Sequence, residues 1–255
     1  MDIPENARVH VPSRCVDLID YPSAMVECRF RGVLGTKGIV DKVPTKSGQQ
    51  FQIKTSLITR KLGFLIVQVG DFETETSILE PLHNAICATT ALVLMPEYVT
   101  KLRVRSLTEF ERFWKKSAKL ISHLVLVGHG SKTGLKFGDT IVEPTDFNNA
   151  IQSPSNIGQA PHIISLCCNS GNGTVGKQIS ASPACRSFVG PSGPIHVANA
   201  ALFYQSFVSH SLIDGRTTKW AYQRSRVFTP GVIEFNCWVK TKLTHKPSRK
   251  DILKR

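Results

Sequence analysis

Two apolar runs in this chain end on residues that can do chemistry. His123-Leu-Val-Leu-Val-Gly-His129-Gly130 stops at a histidine between two glycines. Pro161-His-Ile-Ile-Ser-Leu-Cys167-Cys168-Asn-Ser-Gly171 stops at a cysteine pair followed by small residues. A thiol attacks a carbonyl as its thiolate, and an imidazole activates that thiol or protonates the leaving amine. The oxyanion that develops needs N–H donors aimed at it. Gly130 leaves room for a peptide to approach and offers its own N–H, and the N–H of the attacking cysteine is a second donor. Ser170 and Gly171 keep the mouth around the thiol open. The pattern implies acyl transfer by a Cys/His dyad, with the thiol supplied by one of the two adjacent cysteines.

Such chemistry requires the two run ends to meet, and the rest of the chain predicts how. Phe64-Leu-Ile-Val-Gln-Val-Gly70 reads as a buried strand, followed by a helix with Pro81 near its first turn that runs to about Thr89. Ala91-Leu-Val-Leu-Met95 reads as a second strand. Ser106-Leu-Thr-Glu109 is a capping box for a helix with Phe110, Phe113 and Trp114 as its apolar stripe. The strand ending at His129 is the third. Gly134 to Val142 predicts a hairpin turning at Gly138-Asp139, and Thr145-Asp146 caps a short helix. The strand ending at Cys168 is the fourth, and Gly171 to Cys185 reads as a small-residue loop, expected to be mobile and open to cutting at Lys177. Ser187-Phe-Val-Gly is a fifth strand. Helices are expected from Ala198 to about Ile213, closed by Gly215, and from Thr217 to Arg226. A last strand spans Val232 to Val239. Strands alternating with helices predict a mainly parallel sheet covered on both faces, and the C-terminal edge of such a sheet is where ligands bind. Residues 1–60 differ: turn signals at Gly35-Thr-Lys-Gly38 and Ser47-Gly48, with the alternating Phe51-Gln-Ile-Lys-Thr, predict a small β-rich appendage. The expected division is therefore 1–60 and 61–255.

Composition narrows the setting. Hydrophobic content of 41% over 255 residues is ordinary for a globular chain, and no apolar run approaches the ~18 residues of a membrane helix. Seven cysteines are scattered without a CxxC pair, so neither a disulfide framework nor a structural zinc is expected. That usage, and an N-terminus unlike a signal peptide, predict a reducing, cytoplasmic setting. The net charge of +13 suits an acidic partner or nucleic acid, although part of it falls in the tail after Lys240 and no RNA-binding aromatic motif accompanies it.

The chemistry-bearing segments resemble those of caspase-like (clan CD) cysteine peptidases, CHAT-domain proteases in particular. Val127-Gly-His-Gly130 followed by Leu135-Lys-Phe-Gly-Asp139 is similar to the histidine segment of that group. Ile163-Ile-Ser-Leu-Cys-Cys-Asn-Ser-Gly171 is similar to its nucleophile strand. The likeness continues through Arg186-Ser-Phe-Val-Gly190 and Leu202-Phe-Tyr-Gln-Ser-Phe207 to Asp214-Gly215, and covers roughly residues 62–240. It implies an α/β/α sandwich, His129 as the dyad histidine, Gly130 as an oxyanion donor and Cys168 as the nucleophile, since x-Ser-Gly follows Cys168 in register. Aligning Ile163-Ile164 on the motif's apolar pair selects Cys167 instead. Where the group often carries a Trp, this chain has Gly190-Pro-Ser-Gly-Pro194. The resemblance further implies a protein or peptide substrate, no cofactor, an activating partner, and intracellular signalling such as bacterial defence. A catalytically silent adaptor and a nucleic-acid-binding module are the rival readings.

Two more residues fall at the correct edge. His196 lines the substrate pocket or caps the helix after it, and Asp71 faces the cleft or closes its loop. His123 and His162 open their strands, at the opposite end, where satisfied histidines are expected.

Overall fold

A computed structural model of the chain describes residues 3–18, 23–42, 49–70, 78–152, 160–229 and 235–244. Four strands come first: β1 (Arg8–Pro12), β2 (Met25–Leu34), β3 (Lys37–Lys42) and β4 (Gln50–Lys54), paired antiparallel in that order. The β2–β3 hairpin turns at Gly35, whose φ of 61° is the left-handed conformation that favours glycine. Phe51 and Ile53 of β4 turn inward while Gln52 and Lys54 stay exposed, as the alternation predicted. Val9, Val11, Cys28, Phe30, Val40 and Ile53 make this sheet's own core. It is tied to the rest of the chain by backbone bonds between His10 and Thr59 and from Ala24 N–H to the Val93 carbonyl at 2.8 Å.

The second sheet has seven strands: β5 (Phe64–Val69), β6 (Val99–Val104), β7 (His123–Val127), β10 (His162–Ser165), β11 (Ser187–Pro191), β12 (Phe235–Val239) and β13 (Lys242–Leu243). Its order is β13-β12-β11-β10-β7-β5-β6, with the run from β11 to β6 parallel and β12 and β13 antiparallel. The small hairpin of β8 (Leu135–Phe137) and β9 (Thr140–Val142) lies outside this sheet. Helices cover both faces. On one, α1 (Leu79–Val93), α5 (Val197–Val208) and α6 (Thr218–Phe228) pack Ile86, Phe203 and Tyr222 on Phe64, Ile66, Val125 and Ile164. On the other, α2 (Leu107–Ser117), α3 (Pro144–Ile151) and α4 (Val175–Ala181) pack Trp114, Phe147 and Ile179 on Leu65, Val67, Leu124 and Ile163. Both faces are buried, which is why the central strands are unbroken apolar runs rather than alternating ones. The architecture is the expected mostly parallel α/β sheet flanked by helices, with the β-rich N-terminal layer beside it.

Four element assignments need correction. Ala91-Leu-Val-Leu-Met95 is not a strand: its first three residues are the last turn of α1. A short apolar run fits helix or strand equally, and here Val93 is buried while Leu92 is 80% exposed, as helical spacing demands. The true second strand is β6, a Lys- and Arg-bearing edge. Gly171 to Cys185 is not a free loop, because α4 occupies its middle and buries Val175 and Ile179. α3 starts at Pro144, one position before the expected cap, with proline at its first turn. Lys242 belongs to β13 rather than to a tail. The Ser106 cap is as predicted, its hydroxyl accepting from Glu109 N–H at 3.2 Å.

Candidate active site

β7 and β10 are hydrogen-bonded neighbours with Ser165 opposite Leu126, so both chemistry-bearing ends leave the sheet at the same edge. Leu166 N–H continues the ladder to the Leu126 carbonyl at 2.8 Å. Beyond β7 the chain is held by the β8 hairpin. Lys136 N–H donates to the His129 carbonyl at 3.0 Å and Ser131 N–H to the Gly134 carbonyl at 2.9 Å. Gly130 bridges Leu135 between those two bonds. In such an antiparallel pair the intervening residue turns its own N–H away from the partner strand.

The two segments touch through their backbones. A Cβ on Gly130 would lie 2.2 Å from the Cys168 carbonyl oxygen and 3.2 Å from the Cys167 Cβ. Only glycine permits this approach, and it brings the histidine segment directly against the cysteine pair. Among the described residues, no acceptor takes the Gly130 N–H or the Cys168 N–H.

The two cysteines face opposite ways. Cys167 continues the alternation of β10 and points into the core beside Phe188 and Leu126, with its sulfur 4.0 Å from the Leu126 carbonyl. Burial pushes its thiol up to about 12, so it stays protonated at neutral pH. Cys168 begins the turn that leaves the strand and is only partly buried. Its Sγ accepts from Ile195 N–H at 3.4 Å and lies 3.9 Å from the Ile195 carbonyl.

The turn after Cys168 is tightly braced. Asn169 takes the left-handed conformation with φ 59°, and its N–H donates to the Gly193 carbonyl. Ser170 Oγ donates back to the Cys167 carbonyl at 2.7 Å. Gly171 is pressed so closely on the next strand that a Cβ would fall 1.9 Å from the Gly190 oxygen. Its carbonyl accepts from both Asn236 and Trp238 of β12. Asn172 then does two jobs: Oδ1 accepts from the N–H groups of Thr174 and Val175 at the start of α4, and Nδ2 donates to the Lys132 carbonyl at 3.0 Å. That last bond ties the cysteine turn to the histidine loop.

His129, Gly130 and Cys168 are thus brought to one place. His196 is exposed at the start of α5, where its Nδ1 accepts from Ala198 N–H at 3.2 Å, so it caps the helix. Asp71 lies outside the described residues. His123 and His162 sit at the far end of the sheet, stacked at 5.2 Å. A second Cys/His pair, Cys87 and His83, lies within α1 at 3.7 Å. Burial raises that thiol and lowers that imidazole, which keeps both neutral, and both are buried, without room for a substrate. Sequence reasoning missed Asn172 and Ile195. An Asn before an apolar helical pattern is a cap signal that identifies the first. Ile195 acts through its backbone, which leaves no sequence signal.

Among the described residues no group of three or more His, Cys, Asp or Glu is placed to hold a metal ion, and no helix is long and apolar enough to cross a membrane. No protein-family model and no curated protein matches the chain. A search of solved structures finds a likeness to a secreted C11 cysteine protease from Bacteroides thetaiotaomicron, solved in complex with an irreversible peptide inhibitor. The identity is 11%, the TM-score 0.50, and the match covers 71% of this chain and 67% of that one. That likeness and the order of strands and helices agree on the fold: a mostly parallel α/β sheet flanked by helices, the caspase-like fold of that neighbour.

Proposed function

We propose that this chain is a cysteine endopeptidase that cleaves protein or peptide substrates through Cys168 and His129. The observation that carries the reading is the backbone contact of Gly130 with Cys168, which sets a partly exposed thiol, a histidine segment and two N–H groups at one sheet edge. In the reaction, the Cys168 thiol gives its proton to His129 and its Sγ bonds to the scissile carbonyl carbon. The Gly130 and Cys168 N–H groups hold the oxyanion. His129 protonates the leaving amine as the C–N bond breaks, leaving a thioester. Water then attacks the thioester, gives its proton to His129, and releases the acid and the thiol. Ile195 N–H holds the sulfur in position throughout. The substrate peptide is expected to lie extended across these strand ends, where its carbonyl meets Cys168.

The resemblance of the ordered His and Cys segments to CHAT-domain proteases supports a reading of intracellular signalling or bacterial defence, in which an activating partner would switch the enzyme on. The buried residues of α4 argue against activation by cutting at Lys177, since the helix would have to unfold first.

A pooled fluorogenic peptide library tests the reading. Cys168→Ala and His129→Ala abolish cleavage, and Cys167→Ala retains most of it. Equal loss in Cys167→Ala and Cys168→Ala at unchanged melting temperature would move the nucleophile to Cys167. Silence in the parent, with no labelling of Cys168 by a peptide-based thiol probe, favours the adaptor reading.

A further inference from the structure

A cavity of about 270 Å³ lies at the end of the sheet opposite Cys168, where the peptidase chemistry does not use it. Its floor is the N-terminal ends of β7, β10 and β11, represented by His123, His162 and Ser187. One wall is the first turn of α6, and another is the N-terminal β layer through Pro12, Met25 and Leu57. Four cations line it: Lys61, Arg186, Arg216 and Lys219. Among the described residues, none that lines it is Asp or Glu. Among the described residues, Asp214, two positions before Arg216, is engaged by His210 at 2.7 Å and by Arg14 at 3.7 Å.

We propose that this cavity binds a small phosphate-bearing molecule. Positive charge gathered at a concavity, with no carboxylate among its described lining residues, attracts an anion. Two of the cations are arginines, whose planar forks match phosphate oxygens. Arg216 lies over the Trp220 ring at 4.9 Å. Lys61 also donates to the Ala118 carbonyl at 3.4 Å. α6 has eleven residues, a Thr217 cap and no acidic residue in its first turn, so its positive end adds to the same field. Hydroxyls of Ser187 and Thr218 converge on His162 Nδ1 at 2.7 and 3.3 Å and make the floor polar. The volume exceeds that of a bare ion and falls just short of the roughly 300–1,000 Å³ of drug-sized ligand pockets, which suits a ligand of a few heavy atoms. Burial and Arg186 keep His123 and His162 neutral, so the ligand's charge is met by the four side chains rather than by the imidazoles. Because the cavity and the Cys168 thiol lie at opposite ends of the sheet, ligand binding here does not depend on the peptidase reading.

Titration calorimetry and thermal melts of the full chain with inorganic pyrophosphate, at fixed ionic strength, test it. Saturable one-to-one binding with a rise in melting temperature is expected. The exposed pair Arg216→Gln and Lys219→Gln, made together, should weaken Kd at least tenfold without lowering the unliganded melting temperature. Unchanged affinity in that variant, or no saturable binding by the parent, would overturn the proposal. So would tight binding of a single-stranded oligonucleotide that pyrophosphate does not displace, since that places the phosphate affinity on the open surface.

Discussion

The two adjacent cysteines differ in environment by one step of a strand. Cys167, two residues past the end of β10, is buried in the core and its thiol is pushed up to about 12; Cys168 lies in the turn and is partly exposed. At pH 7.5 a thiol titrating near 12 holds a thiolate fraction below about one in ten thousand. Iodoacetamide at that pH should therefore modify Cys168 and leave Cys167 intact over the same interval, read by peptide mass spectrometry. Faster labelling of Cys167 would contradict the buried placement. The histidine, the doubled cysteine and the glycine were all legible in the sequence as types at strand ends. Which cysteine faces solvent was not, because that depends on where the strand stops and the turn begins.

At the scale of elements, the site is two braced segments pressed together. Gly130→Ala drives a Cβ into the Cys168 carbonyl, and overpacking of this kind costs about 1–3 kcal/mol. A displacement of about 1 Å at reacting groups costs on the order of 10²-fold in rate. Peptide turnover should fall at least that far, with a lower melting temperature. Asn172 separates two effects. Asn172→Ala removes the α4 cap, worth about 0.5–2 kcal/mol, and also the bond to Lys132. Asn172→Asp keeps the capping oxygen and loses only the Nδ2 donor. If the tie to the histidine loop matters for turnover, both variants lose kcat while only the alanine loses stability; full activity in Asn172→Asp would show the tie to be structural only. The capping box at Ser106, the hairpin at Gly138-Asp139, the close at Gly215 of the π-helical turn Ser209–Ile213 that runs on from α5, and the helix opening at Thr217 were readable because each is set by local chemistry. The end of α1 and the existence of α4 were not. Ala91 to Val93 becomes helix because Val93 is buried as the last turn of α1, and Val175 and Ile179 become helix because the opposite sheet face needs covering.

At the scale of the whole molecule, the stacked His123 and His162 predict how stability responds to acid. Burial, with Arg186 nearby, lowers His123 to about 3 and lowers His162 as well. Above pH 6.5 both are neutral folded and unfolded, and they cost nothing. Below it the unfolded chain takes up protons that the folded chain refuses, so stability falls from about pH 6.5 downward, by about 1.4 kcal/mol per pH unit for each proton. Urea midpoints at pH 7 and pH 5 should show the decline, and His123→Phe should flatten it; an equal decline in the variant would assign it elsewhere. What the sequence determined alone is the part controlled by near neighbours: apolar runs that must be buried on two sides, caps and turns, and reactive residues at strand ends. Only the tertiary structure decided the rest. The β7–β10 pairing sets the His129 segment beside Cys168, β12 supplies Asn236 and Trp238 to the Gly171 carbonyl, and cations from three separate segments (Lys61, Arg186, and Arg216 with Lys219) share one cavity. Those relations are made by strand order and layer packing, which join residues with no local signal of one another.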